Sequence, residues 1–254
     1  MNDATDCLDT NQVAASQYAD DIGTWATGDT VAGTIANIQR NLTRLEQWCK
    51  KWMVVLNPVK SQLVIFTKCF RHKSEMENNN FKVKLFGHDI TITTEAIFLG
   101  VIFDQRLTWE PQIRKLTTRA YQRLNLLRRI STLAKEPNPN ILAQLYKSII
   151  IPIFEYGSIC YINAAEVHME KLQLLQNMAL RITTKSPRYI SITDLHDCTG
   201  FGPISDHLIS FAKRRFEVMR QHSPILESSI RRYDQVKHIL ANRSPLDVLY
   251  NHQP

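Results

Sequence analysis

The sequence predicts an α+β protein in which a small sheet subdomain precedes a helical one, and three observations carry that prediction. Strand-like runs separated by turn residues are confined to residues 12–105. One long amphipathic pattern, residues 31–52, interrupts them. From Pro111 onward the apolar residues recur at helical spacing. Strands first and helices later is the pattern of α+β chains. With 254 residues and 44% hydrophobic content, the chain is long enough to bury the core of one large or two smaller domains.

Each element follows from local pattern. Residues 12–27 read as two short strands meeting at Asp20 and Asp21, with Val13, Ala15 and Tyr18 before the pair and Ile22 and Trp25 after it. Val31, Ile35, Ile38, Leu42, Leu45, Cys49 and Trp52 then mark one apolar face of a helix. Asp29 and Thr30 supply its N-terminal caps, and it ends near Trp52. Asn57-Pro58 turns the chain into a β-branched strand, Gln62 to Thr67. RHKSEMENNN, residues 71–80, reads as a polar, mobile loop. FKVKLF and DITIT flank Gly87-His88, a hairpin signal, and IFLGVIF, residues 97–103, reads as a further buried strand.

Past Pro111, Ile113, Leu116, Ala120, Leu124 and Leu127 mark one helix face, with Lys115, Arg119 and Arg123 spaced four apart on another. A second helix fits Ile141 to Ile151 and is ended or kinked at Pro152. A third fits Val167 to Thr183, with Leu172, Leu175, Ala179 and Ile182 inward and Lys171, Arg181 and Lys185 outside. Weaker helical patterns follow, carrying Arg214, Arg215, Arg231 and Arg232. The expected parts are residues 1–105, 106–185 and 186–254.

The formal net charge is +7. It is concentrated: Arg106 to Lys135 holds eight basic residues against one acid, Glu110. A solvated helix face is one reading of this stretch; exposed helices normally intersperse acids with bases, so the near absence of acids gives the other, a surface for phosphate-bearing partners. The five cysteines, Cys7, Cys49, Cys69, Cys160 and Cys198, show no CxxC pairing, which argues against a zinc site or a disulfide framework and for a reducing compartment. His196, Asp197, Cys198 and His207 lack the compact spacing of a zinc knuckle. No apolar run reaches bilayer length, and MNDATDCLDT has no apolar centre like that of a secretory signal. The expectation is a soluble intracellular chain.

Two adjacent aspartates in QYADDIGTWAT, residues 17–27, pose a chemical question, because like charges repel unless solvent or a divalent cation offsets them. A bare Asp-Asp pair is usually a solvated turn. Context argues otherwise. Tyr18-Ala19-Asp20-Asp21, the amphipathic helix, Trp52, Leu56-Asn57-Pro58 with Lys60-Ser61, and Phe98-Leu99-Gly100-Val101 with Asp104 together resemble the reverse transcriptase of non-LTR retrotransposons, most like the jockey group. The resemblance continues through Leu145–Ser148, Pro152–Gly157 and Leu172–Ile182, so it covers residues 12–185. This ordered series is far more specific than YADD alone.

The resemblance implies a partial polymerase palm followed by a basic, thumb-like helical region and a helical extension. It implies that Asp20 is the principal Mg²⁺ ligand and Asp21 the secondary one, in two-metal nucleotidyl transfer. Tyr18 would support the strand beneath the primer terminus. Lys60 would assist the departing pyrophosphate by charge or as a proton donor. Lys115, Arg119 and Arg123 would follow the backbone of a template-primer duplex of RNA and DNA. Residence in the nucleus or a ribonucleoprotein follows from the family alone.

In that family the fingers and the first palm strands, with another essential aspartate, precede the hairpin. Only 17 residues precede Tyr18 here, and Asp3, Asp6 and Asp9 lie in a turn-rich segment too close to form a separate palm strand. The sequence is therefore expected to be a C-terminal palm and thumb fragment, weak in Mg²⁺ binding and inactive alone. The alternative is a non-catalytic remnant that binds nucleic acid, and a third possibility is a fragment that does not fold stably.

Overall fold

The computed structural model describes residues 4–9, 13–67, 69, 72, 74–76, 81–133 and 138–222. It mixes helices with small sheets, as an α+β chain does. The chain divides into two compact units, Met1–Leu107 and Thr108–Pro254.

In the first unit β1 (Ala14–Tyr18) and β2 (Asp21–Trp25) form an antiparallel hairpin. The helix α1 (Val31–Trp52) follows. Thr30 starts it, its hydroxyl accepting from the Gly33 N–H at 3.2 Å. A side-chain oxygen there satisfies one of the orphan donors of the first turn. The expected apolar face is buried at Val31, Ile35, Ile38, Leu45 and Cys49. Trp48, not Trp52, completes it. Trp52 is 55% exposed, because the helix stops there and Met53 takes a left-handed conformation (φ 53°) that turns the chain away. Asn41, a polar residue on the buried face, is satisfied: it accepts from the Asp9 N–H at 2.7 Å and donates to the Asn37 carbonyl at 3.0 Å. Two clusters pack on this helix, one with Val13, Val83, Leu85 and Ile90 and one with Ala4 and Leu8.

The remaining strands differ from the sequence expectation in three places. The strand expected over Gln62 to Thr67 is reduced to β3 (Gln62–Leu63), which pairs in parallel with β6 (Thr91–Ile92). The hairpin of β4 (Lys84–Leu85) and β5 (His88–Asp89) turns at Phe86-Gly87, one residue earlier than expected. Both turn residues have positive φ, 50° and 78°, the pattern that matches the twist of hairpin strands. IFLGVIF is not one buried strand. It is a second such hairpin, β7 (Glu95–Phe98) and β8 (Val101–Asp104), turning at Leu99-Gly100 with φ 47° and 78°.

Part of the expected mobile loop is anchored. His72 and residues 74–76 are helical, the Glu75 carboxylate accepts from the Ala32 N–H at 3.2 Å, and Met76 packs into the core. A carboxylate at a helix N-terminus meets both free N–H groups and the dipole. Residues 71, 73 and 77–80 of this stretch lie outside the described residues.

Every regular element among the described residues of the second unit is a helix. α2 (Glu110–Leu133) buries Ile113, Leu116, Ala120, Leu124 and Leu127. α3 (Pro139–Ile149) begins at Asn138, whose side chain accepts from the Asn140 N–H at 2.9 Å. Pro152 then opens the short α4 (Ile151–Glu155), which α5 (Ser158–Tyr161) follows. α6 (Glu166–Thr184) packs against α2, α3, α7 (Ile192–Thr199) and α8 (Ile204–His222), and so forms the axis of the unit. Leu124, Tyr146, Phe154, Leu172 and Leu180 are fully buried, and the Tyr161 hydroxyl donates to the Phe154 carbonyl. Arg181, expected outside, folds back instead: its guanidinium donates to the Pro187 and Ile190 carbonyls, both at 2.9 Å, fixing the turn after α6.

Candidate active site

The β1–β2 register pairs Tyr18 with Asp21 and leaves Ala19 and Asp20 as the two-residue turn. The two strands were expected to meet at Asp20 and Asp21. Only Asp21 is a strand residue; Asp20 sits in the turn itself. Ala19 is held at φ 52°, a conformation that costs an L-residue roughly 1–2 kcal/mol. Such strain persists only where the surroundings over-determine it. Here the stem supplies the constraint: Ala15 and Ile22 pack against the Leu45, Trp48 and Cys49 cluster, and Gly23 lies against the Phe98 ring.

Asp20 and Asp21 are exposed, and Tyr18 beside them is 67% exposed. No lysine, arginine or histidine among the described residues lies within ion-pair distance of either carboxylate. Their mutual repulsion is therefore met by solvent. Two hard oxygen donors, open and without a competing protein cation, fit part of a Mg²⁺ coordination shell. Among the described residues no cluster of three or more His, Cys, Asp or Glu could hold a metal ion. Asp9, weighed as a substitute ligand, lies 3.6 Å from the Arg44 guanidinium. Asp3 lies outside the described residues.

Lys60 is exposed in the turn of LNPVKS, and the reason is local. The Asn57 side-chain oxygen accepts from the Val59 N–H at 3.0 Å and from the Lys60 N–H at 3.3 Å, while the Ser61 hydroxyl returns to the Asn57 carbonyl at 3.0 Å. An asparagine followed by proline closes such a turn without help from the rest of the fold. Lys60 makes no ion pair with Asp20 or Asp21.

On α2, Arg119 and Arg123 are exposed and Lys115 is half-buried. Arg114 pairs with Glu110 at 3.9 Å, and Arg128 donates to the Asn125 side chain at 3.0 Å. Trp109 is buried at 4% exposure, whereas Tyr121 is 47% exposed and accompanies the arginines. Lys135, Arg231 and Arg232 lie outside the described residues.

Comparison with known proteins adds an independent observation. The probable RNA-directed DNA polymerase from transposon BS of Drosophila melanogaster is 28% identical over 218 residues, 86% of this chain and 24% of that protein. The RNA-directed DNA polymerase from mobile element jockey of Drosophila funebris is 26% identical over 211 residues, 83% of this chain and 22% of that protein. The chain is a relative of the RNA-directed DNA polymerases of mobile elements. A probable polymerase from the X-element of Drosophila melanogaster matches at 24% over 214 residues. The chain spans about a quarter of the length of the curated relatives it matches. No family model and no solved structure matches it.

Among the polar residues of the LQLLQN stretch that carries part of the polymerase resemblance, three have a structural task the sequence did not disclose. Gln173 donates to the side chains of Asn177 at 2.8 Å and Gln176 at 2.9 Å, and accepts from the Ile204 N–H at 2.9 Å. Gln176 donates to the Gly202 carbonyl at 3.0 Å. His196 joins this network, 3.2 Å from the Asn177 oxygen and 2.5 Å from the Phe201 carbonyl. His207 instead meets Glu155 at 2.9 Å, and Cys198 is exposed. The amide pattern Gln-x-x-Gln-Asn, three and four apart on one helix face, was the available signal. No helix among the described residues is long and apolar enough to cross a membrane.

Proposed function

We propose that this chain is the part of a non-LTR element's RNA-directed DNA polymerase that carries the metal-binding hairpin in a palm region (1–105) and a duplex-gripping thumb-like region (106–185), with a helical extension beyond (186–254). The observation that carries the reading is a pair of solvent-facing carboxylates on a strained, well-anchored hairpin tip in a relative of mobile-element polymerases.

In this reading Asp20 would be the principal and Asp21 the secondary residue holding Mg²⁺, with water and substrate phosphates completing the shell. When bound the ion supplies charge stabilisation for nucleotidyl transfer. The chain's own residues do the remaining work. Tyr18 supports the primer terminus, and Lys60, whose ammonium faces solvent, meets the charge of the departing pyrophosphate or hands it a proton. Lys115, Arg119 and Arg123 hold the phosphates of an RNA template and DNA primer without reading sequence. A two-carboxylate site binds Mg²⁺ weakly, so the chain alone does not polymerise. Such a partner places it in the nucleus or in a ribonucleoprotein.

The test is a primed RNA template offered to the purified chain with Mg²⁺ and deoxynucleotides. The expected result is retention of the duplex with affinity falling steeply as salt rises, and no extension. Extension that Asp20→Ala abolishes would overturn the inactivity; absence of any duplex binding would overturn the nucleic-acid reading itself.

A further inference from the structure

Within the second unit a cavity of about 460 Å³ opens between α3, α4, α8 and the loop after α7. Its size lies within the roughly 300–1,000 Å³ of small-molecule sites, larger than a bare ion needs. Its walls are held in place. The Phe201 ring is braced edge-on by the fully buried Tyr146, 5.2 Å between centroids at 74°. Gln176 holds the Gly202 carbonyl and His196 holds that of Phe201. A preformed wall lowers the ordering cost of binding.

The charge of the lining is asymmetric. Glu155, the one carboxylate among the lining residues, is engaged by His207 at 2.9 Å. Lys147 has no carboxylate within ion-pair distance among the described residues; its ammonium lies 5.0 Å from the Phe201 ring centroid. That contact is weak at an exposed site, so the ammonium can turn to an anion. A side chain at Gly202 would meet nothing within 4 Å, which leaves the backbone there open to close approach by a ligand. Ile151 adds apolar surface for a flat ring.

We propose that this cavity binds a nucleoside 5′-phosphate, with the phosphate on Lys147 and the base against Ile151 and the Gly202 edge. The choice of phosphate over carboxylate rests on the nucleic-acid reading above; the cavity and its open cation do not. Two sources share the chemistry, a free mononucleotide and the 5′-phosphorylated end of a single strand.

Calorimetric titration of the full chain with AMP, adenosine, and a short oligonucleotide with and without a 5′-phosphate tests it. The expected result is AMP binding roughly tenfold tighter than adenosine, reduced by a similar factor in Lys147→Ala, as loss of a charge-assisted contact requires. Gly202→Trp, which fills the cavity from its edge, should abolish binding; circular dichroism checks that both variants are folded. If the 5′-phosphorylated oligonucleotide binds more tightly than both AMP and its unphosphorylated counterpart, and Lys147→Ala removes that excess, the source is a strand end; if AMP binds more tightly than the excess the 5′-phosphate confers, it is the free nucleotide. Adenosine binding as tightly as AMP, AMP binding unchanged in both folded variants, or no binding of either phosphate would overturn the proposal. Lys147→Ala leaves Arg119 and Arg123 intact, so duplex retention should persist. AMP binding without duplex retention would sink the proposed function and leave this site standing.

Discussion

The anchoring of the aspartate hairpin can be tested at Gly23. A Cβ built there would lie 3.0 Å from the Phe98 Cζ and 3.1 Å from its Cε2, against an optimum of roughly 3.5–4.0 Å between carbon atoms. Gly23→Ala must therefore push an aromatic ring aside by about half an ångström. Overpacking of this kind costs about 1–3 kcal/mol. In a strand interior the intrinsic preference runs the other way, because glycine is worse than alanine by roughly 0.5–1 kcal/mol. The two effects separate in a double-mutant cycle. With Phe98→Leu the ring is gone, the clash is relieved, and Gly23→Ala should become neutral or stabilising. Urea unfolding of the four proteins, followed by circular dichroism, gives the coupling, expected to be at least about 1 kcal/mol. If Gly23→Ala is stabilising beside the native Phe98, or if the two substitutions simply add, the hairpin that carries Asp20 and Asp21 is not braced by Phe98.

Three further outcomes follow. Reversing two charges on α2, Arg119→Glu with Arg123→Glu, should weaken retention of an RNA–DNA duplex and lower the logarithmic salt slope by about one for each phosphate no longer neutralised; weaker binding with an unchanged slope would exclude direct phosphate contact. Burial raises the pKa of both the Tyr146 and Tyr161 hydroxyls well above the ordinary tyrosine value. Their contribution to stability is full below the unfolded pKa of about 10, and above it stability should fall by about 1.4 kcal/mol per pH unit for each tyrosine until the folded groups ionise, so urea unfolding that is flat from pH 9 to 12 would contradict their burial. Gln173→Leu strips partners from Asn177, Gln176 and the Ile204 N–H, and should cost about 2–4 kcal/mol in the same assay. A loss below about 1 kcal/mol would mean the amide network does not hold the loop after α7.

Legibility in the sequence tracked the physics of each signal. The inward row of α2 was readable because five apolar residues at steps of three and four leave one solution, and all five are buried. The Asp-Asp hairpin was readable because apolar residues flank it on both sides. IFLGVIF was not: a continuous apolar run carries no period, and the turn sits on Leu99, a residue with no turn propensity, forced to φ 47° beside Gly100. Trp52 kept the period of its helix, yet a helix end exposes what its middle would bury. The Glu75 cap on α1 bridges 43 positions to Ala32, a separation no local pattern encodes. At the candidate site, residue identity was legible and placement was partly so. The pattern put Asp20 and Asp21 at a bend, but the left-handed Ala19 that splits them between turn and strand depends on packing of the stem.

That split bears on why two like charges stand side by side. In water, unit charges about 4 Å apart repel by only about 1 kcal/mol, and ions screen this further. The stem packing of Ala15, Ile22 and Gly23 can exceed such a cost, so the hairpin needs no cation to fold. Two unfavourable features nevertheless coincide at one tip: a left-handed alanine and an unpaired carboxylate pair. Glycine at position 19 would remove the first and asparagine at position 20 the second, and both are common turn residues. Where local rules are broken together and the fold gains nothing, function is the usual reason. The left-handed Ala19 fixes where the two side chains leave the backbone before any ligand arrives, and solvent exposure leaves them open. Under the proposed function, that tip would present both carboxylates to a divalent cation, a role that a merely solvated turn does not need.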